Sequence, residues 1–251
     1  MISSVEPDAW PFDVIWRPAQ YQGESTAHVE ATQLDAKEKS AAGRRRILAE
    51  WIAFFATTTT ALTSLNLVSR VPQELVDSLA GQPQLRELGL KWGPYRDVAA
   101  LSRLHELRSI RLGGATSLHS IAPLTGLRHL TELIVDQAHR LDDPTSLGSF
   151  TRLTSLEFGN GSFGSDRSLV LPDLEWVRPL KELRTLGLPG TRVLEPDLSP
   201  LLDLPKLEHL RIPLRRQFRE QVFDLADRST AFAAVATQYE ALDRWRTATR
   251  T

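Results

Sequence analysis

Leucine, or an aliphatic or aromatic residue in its place, recurs along the chain in the pattern L-x-x-L-x-L. The pattern occurs as Leu62-Leu65-Leu67, Leu85-Leu88-Leu90, Leu107-Ile110-Leu112, Leu130-Leu133-Val135, Leu153-Leu156-Phe158, Leu183-Leu186-Leu188 and Leu207-Leu210-Ile212. Successive starts lie 23, 22, 23, 23, 30 and 24 residues apart, a register that chance does not keep. Within each unit the last two apolar residues alternate with an outward one, which predicts a short strand with one buried face. The segments between them carry apolar residues at spacing three, as in Leu101-Leu104-Leu107, Ile121-Leu124-Leu127-Leu130, Leu147-Phe150-Leu153, Leu174-Val177-Leu180-Leu183 and Leu198-Leu201-Leu204-Leu207. Period three predicts 3₁₀ or short helical turns, and Pro123, Pro179, Pro200 and Pro205 argue against long helices there.

The array resembles the leucine-rich-repeat family, of the bacterial type with units of about 22–24 residues, over roughly residues 61 to 214. That resemblance implies an α/β solenoid: a short parallel β-sheet on the concave face, 3₁₀ and short helical turns on the convex face, and helical caps at both ends. Each unit is too small to bury its own leucines, so stability must come from stacking on its neighbours. One departure stands out. The asparagine that usually follows the strand is replaced by Arg70, Gly93, Ala115, Ala138, Gly161, Thr191 and Arg215, so no continuous asparagine ladder is expected. The Thr191 hydroxyl is the candidate substitute for the missing amide.

A solenoid exposes apolar faces at both ends, and these need covers. Residues 1–60 are expected to form an arm and a capping helix, 61–214 the repeat array of seven units, and 215–251 a helical cap. The capping helix is predicted over Leu34 to Phe55, with Ile47, Leu48, Trp51, Ile52 and Phe55 on one face and Arg44-Arg45-Arg46 solvated. Trp10, Phe12, Val14, Ile15 and Trp16 suggest a short strand or extended arm. Phe218-Val222-Leu225 and Phe232-Val235-Tyr239-Leu242 recur at helical spacing, with Trp245 just beyond.

Composition narrows the chemistry. There are no cysteines, and the six histidines show no metal-ligand spacing, so neither a metal nor another cofactor is expected. Net charge is -1 with 24% charged residues, which supplies no whole-molecule field for nucleic acid or membrane. Of the 30 basic residues only five are lysine, but the arginines are scattered along the chain. Gly159-Asn160-Gly161-Ser162-Phe163-Gly164 matches the dinucleotide-binding spacing but is not followed by a helix, so a flexible loop inserted in the fifth repeat is the plainer reading. The sequon at Asn160-Gly161-Ser162 carries little weight, because the N-terminus has neither a basic n-region nor an apolar h-region, and a cytoplasmic location is expected. No stretch outside the repeats has the length or the motifs of a catalytic domain, and no enzyme is expected.

The resemblance implies a protein partner on the outward strand positions. The candidate contacts are Glu87, Lys91, Trp92, Arg111, Glu132, Asp136, Glu157, Asn160, His209 and Arg211. Glu132, Asp136 and Glu157 make the centre acidic, which suggests a partner presenting a basic segment; the plain alternative is a solvated strand surface crossed by weak ion pairs. Trp92 is the candidate anchor, against packing over Tyr95. The expected function is a non-catalytic protein-binding scaffold, a monomer when unbound. The alternatives are an inhibitor or immunity-type protein that occludes a toxin or enzyme and, less favoured, nucleic-acid binding or catalysis.

Overall fold

A computed structural model describes residues 13–160 and 168–249. Each expected repeat strand forms: β3 (Ser64–Arg70), β4 (Glu87–Trp92), β5 (Ser109–Leu112), β6 (Glu132–Asp136), β7 (Ser155–Gly159), β9 (Thr185–Gly187) and β11 (His209–Arg211). Two strands precede them, β1 (Val14–Ile15) and β2 (Thr26–Val29). Among the described residues these make one nine-stranded parallel sheet in the order β1-β2-β3-β4-β5-β6-β7-β9-β11. The sheet is therefore longer than the seven repeats. Ala27 and Val29, both buried, supply the inward pair of β2 without the leading leucines that would have revealed it.

Every apolar position of the seven L-x-x-L-x-L units is buried. Register aligns Leu65, Leu88, Ile110, Leu133, Leu156, Leu186 and Leu210 across the sheet as one inward column. The period-three residues between strands are buried as well, and one of each set, Leu101, Leu124, Leu147, Val177 and Leu201, sits within a 3₁₀ turn, at Ala99–Arg103, Ala122–Gly126, Pro144–Ser149, Glu175–Val177 and Ser199–Asp203. Proline occupies one of the first two positions of three of these turns, where its missing N–H has no partner to lose. One return segment instead holds a short α-helix, α2 (Gln73–Ser78).

The missing asparagines are replaced by direct backbone contact. After β3, β5, β6 and β9 the turn hydrogen-bonds to a neighbouring strand: Val71 N to Trp92 O, Gly113 N to Leu90 O, Ala115 N to Asp136 O, Gln137 N to Gly159 O and Leu188 N to Arg211 O, each at 2.8 Å. Such an approach requires small residues. A Cβ on Gly93 would stand 1.9 Å from the Val71 carbonyl oxygen, and one on Gly113 would stand 2.2 Å from that of Lys91. Ala115 and Ala138 are fully buried at the equivalent positions. Thr191 is buried too, and its hydroxyl donates to the Leu188 carbonyl at 2.8 Å.

Helix α1 (Ala41–Thr57) starts later than the apolar pattern suggested. Ser40 accepts from Gly43 N at 2.9 Å and caps it there, leaving Leu34 to Lys39 in turns. Ile47, Trp51 and Phe55 are buried, whereas Leu48 and Ile52 are half-buried. Gln82 locks the helix to the array: its amide donates to the Phe55 and Thr58 carbonyls at 2.7 Å each, satisfying groups that a helix end leaves open. At the other end α3 (Arg216–Ala226) and α4 (Thr230–Ala248) bury Phe218, Val222, Phe232, Val235 and Tyr239, and the Tyr239 hydroxyl donates to the Arg215 carbonyl at 2.7 Å.

The 30-residue interval is more than an inserted loop. It contains β8 (Leu169–Leu171), which pairs in parallel with β10 (Thr191–Val193) as a separate two-stranded sheet. The stretch from Gly161 through Phe163 and Gly164 to Arg167, with most of the glycine-rich motif, lies outside the described residues, as do Trp10 and Phe12. Among the described residues no helix is long and apolar enough to cross a membrane.

If neighbouring turns touch through their backbones, Gly113→Ala lowers stability by about 1–3 kcal/mol through overpacking. Leu133→Ala lowers it by about 2–5 kcal/mol through the cavity left in the inward column. Urea unfolding checks both: the midpoint falls with little change in slope, and a parental midpoint for Gly113→Ala would show that the turns are not in contact.

Candidate functional site

The residues between the inward leucines form rows across the outward face of the sheet. One row, set by register, runs His28, Asn66, Gly89, Arg111, Ile134, Glu157, Gly187, Arg211. Beside it runs Ser64, Glu87, Ser109, Glu132, Ser155, Thr185, His209. Most of the sequence-predicted contacts stand here together: Glu87, Lys91, Trp92, Arg111, Glu132, His209 and Arg211 are exposed, while Asp136 and Glu157 are half-buried. Asn160 does not join them. It is buried at 8% exposure, with its backbone N–H bonded to the Pro189 carbonyl and Gly190 packed against its Cβ, so it belongs to the turn below the face.

Two glycines interrupt the first row, and each leaves a hollow. Around Gly89 the hollow measures about 470 Å³, with His28, Asn66, Lys91, Arg111 and Asp136 on its walls. Around Gly187 it measures about 370 Å³, bounded by Glu157, His209 and Arg211 and, from helix α4, by Ala234 and Gln238. These glycines differ from Gly93 and Gly113. A Cβ on Gly89 would meet only the Asn66 side-chain amide, at 2.2 Å, and one on Gly187 would meet only the Glu157 side chain, at 3.3 Å. Backbone packing does not demand glycine at either position, and a glycine inside a strand marks a place of close approach.

The expected acidic centre is divided. Glu157 reaches across Gly187 to Arg211, with 3.0 Å between oxygen and nitrogen. Arg111 stands on the strand between those of Glu87 and Glu132, so the middle of the face alternates in sign. Burial holds His28, on the wall of the first hollow, below the ordinary histidine value.

Trp92 stands at the end of β4, 40% exposed, with the Arg70 guanidinium 6.0 Å from its ring centre and Gly114 beneath its Cβ. Tyr95 is fully buried, and its hydroxyl donates to the Gly113 carbonyl at 2.8 Å, bracing the turn that lines the first hollow. Burial, then the nearby Asp136 carboxylate, push the Tyr95 phenol well above its ordinary value. His28 and the two α4 residues escape sequence reasoning because their place depends on an unrecognised strand and on how the last helix folds back. The glycines at outward strand positions were the available signal. Among the described residues no group of three histidines or carboxylates could hold a metal ion.

The rows of inward leucines, the parallel strands and the 3₁₀ returns define a leucine-rich-repeat solenoid. No protein-family model matches the chain, and no curated protein does. Among solved structures the chain is similar to an internalin (InlF) from Listeria monocytogenes, at 23% identity over 60% of this chain and 54% of that one, with a TM-score of 0.44. It is also similar to the ectodomain of the Arabidopsis receptor kinase HAESA, in complex with an extended IDA peptide hormone, at 22% identity over 64% and 27% of the two chains, TM-score 0.48. The plant peptide hormone receptor RGFR1, in complex with RGF2, matches at 19% identity over 65% and 29%, TM-score 0.42. The chain thus spans about half the length of the internalin and under a third of each receptor chain.

Tyr95→Phe should cost about 1 kcal/mol at neutral pH, the worth of one buried hydrogen bond. Because the folded phenol resists ionisation, the parent loses stability as pH rises above 10, the ordinary tyrosine value, whereas the variant is spared that part of the loss. Urea unfolding of both proteins from pH 7 to about pH 11 checks this, since Tyr239, also shifted upward by burial, contributes equally to each.

Proposed function

We propose that the chain is a non-catalytic protein-binding scaffold that recognises its partner on the concave strand face. The observation that carries this reading is the pair of glycine hollows in an otherwise occupied row of outward side chains. A row needed only for solubility gains nothing from gaps that packing does not require, whereas a recognition surface uses them to receive a partner's side chains. Trp92, at the end of β4 next to Lys91, supplies an aromatic anchor beside the first hollow. Glu87 and Glu132 make no ion pair among the described residues and would take basic side chains of the partner. Arg111 between them calls for an acidic or carbonyl group, so the matching segment is basic at intervals rather than throughout. Adjacent strands about 4.8 Å apart give the repeat face a length of about 30 Å, enough for a standard interface.

Peptides selected from a displayed random library against the folded chain provide the test. They should bind Gly89→Leu and Trp92→Ala at least about tenfold more weakly than the parent in calorimetric titration, a loss of about 1.4 kcal/mol. Glu132→Lys should remove any preference for Lys or Arg in the selected peptides. The Asn66 side chain is the nearest group to a Cβ added at Gly89, and the unfolding midpoint verifies that the filled variant keeps its fold. Peptides indifferent to all three changes would place recognition off this face.

A further inference from the structure

We infer that a second surface, the rim where the chain enters strands β4 to β7, docks an acidic polypeptide segment through Arg86, Arg108, Arg128 and Arg152. Arg86 and Arg108 immediately precede β4 and β5 and are neighbours in the backbone ladder, Arg108 N donating to Arg86 O at 2.7 Å. Arg128 and Arg152 adjoin through a side chain: an Arg152 guanidinium nitrogen donates to the Arg128 carbonyl at 3.1 Å. The ladder joins the two pairs, since Thr131, three residues after Arg128, donates to Arg108 O. All four side chains are exposed, and none forms an ion pair among the described residues.

The same rim is neutralised at once in the next two repeats. Arg184 pairs with Glu208 and Lys206 with Glu182, each at 2.5 Å, and Arg178 pairs with Asp203. Cross-repeat ion pairing is therefore what this rim does where acid and base face each other in adjacent repeats; in the earlier repeats one exposed acid, Glu106, without an ion pair among the described residues, is set against four arginines, so like charges are in excess and repel. In water that repulsion costs little, about 1 kcal/mol or less per pair, so the fold tolerates it, but the positive field is left to act outward. All four residues are arginine, whose planar guanidinium matches a carboxylate with two parallel hydrogen bonds.

The setting of the strip favours a peptide over nucleic acid. The arginines lie one to four residues before their strands, with Glu87 and Glu132 on the strand side and Glu106 beside Arg108, carboxylates that would repel a broad polyanion. Three strand steps of about 4.8 Å make the strip about 14 Å long, the span of about five extended residues. The site shares no residue with the hollows, so it stands or falls apart from the concave reading.

Fluorescence anisotropy with a labelled polyglutamate peptide of about ten residues, and with an oligothymidylate of the same length, tests the inference. The peptide should bind at low salt and weaken as salt rises. The double variant Arg108→Gln and Arg128→Gln should lose at least about tenfold in affinity. Arg184→Gln and Trp92→Ala should bind as the parent does, and all variants should melt with it. Absence of peptide binding at low salt, equal binding by the double variant, or tighter binding of the oligothymidylate would each overturn the assignment, the last in favour of a nucleic-acid surface.

Discussion

Everything in this fold depends on neighbouring repeats staying in phase, so that each inward leucine meets its counterpart on the next strand. A single unit has too few apolar residues to close a core of its own, and stability accumulates only as units stack. Two contacts enforce the phase. The column from Leu65 to Leu210 excludes water on the inward side of the sheet, while the turns past the strand ends bond backbone to backbone with a neighbouring unit. Direct turn contact takes over the role an asparagine ladder would have played, and it is possible because Gly93, Ala115 and Ala138 hold the chains close.

A stack of this kind ends in two exposed apolar faces, and the chain covers them differently. At the beginning, β1 and β2 extend the sheet itself while α1 packs Ile47, Trp51 and Phe55 inward, with the Trp51 indole N–H donating to the Trp16 carbonyl at 3.1 Å. Gln82 then ties the end of that helix to the array. At the far end a pair of helices closes the core, and α4 also contributes Ala234 and Gln238 to the wall of the second hollow. The cap thus lines the outward strand face as well as covering the end of the core.

Glycine serves two separate purposes here, and only its surroundings distinguish them. Where a Cβ would strike a carbonyl oxygen of the neighbouring turn, glycine is a requirement of stacking; where it would strike only a flexible Asn66 or Glu157 side chain, it opens space. Charge divides similarly. The Glu157–Arg211 pair is consumed within the face and the last two repeats neutralise their rim, whereas Glu87, Glu132, Arg86, Arg108, Arg128 and Arg152 form no ion pair among the described residues.

Much of the architecture was legible in the amino-acid order. Whether a residue is buried is a local property, and a period near 23 with alternating apolar positions specified the seven strands, the 3₁₀ returns and the helical closure. The start of α1 was not, because no proline interrupts the chain between Leu34 and Ile47, whereas the Ser40 cap decides where hydrogen bonding begins. Nor was β2, whose inward residues are Ala27 and Val29 in place of leucines. Lateral neighbours belong to the tertiary structure alone. It placed Gly89 between Asn66 and Arg111, brought Glu157 to Arg211 across Gly187, set Asn160 beneath the face and paired β8 with β10 inside the long interval. The physical reason is that repeat spacing determines which residues turn inward, whereas contacts between strands depend on the path of every intervening turn, which no local pattern encodes.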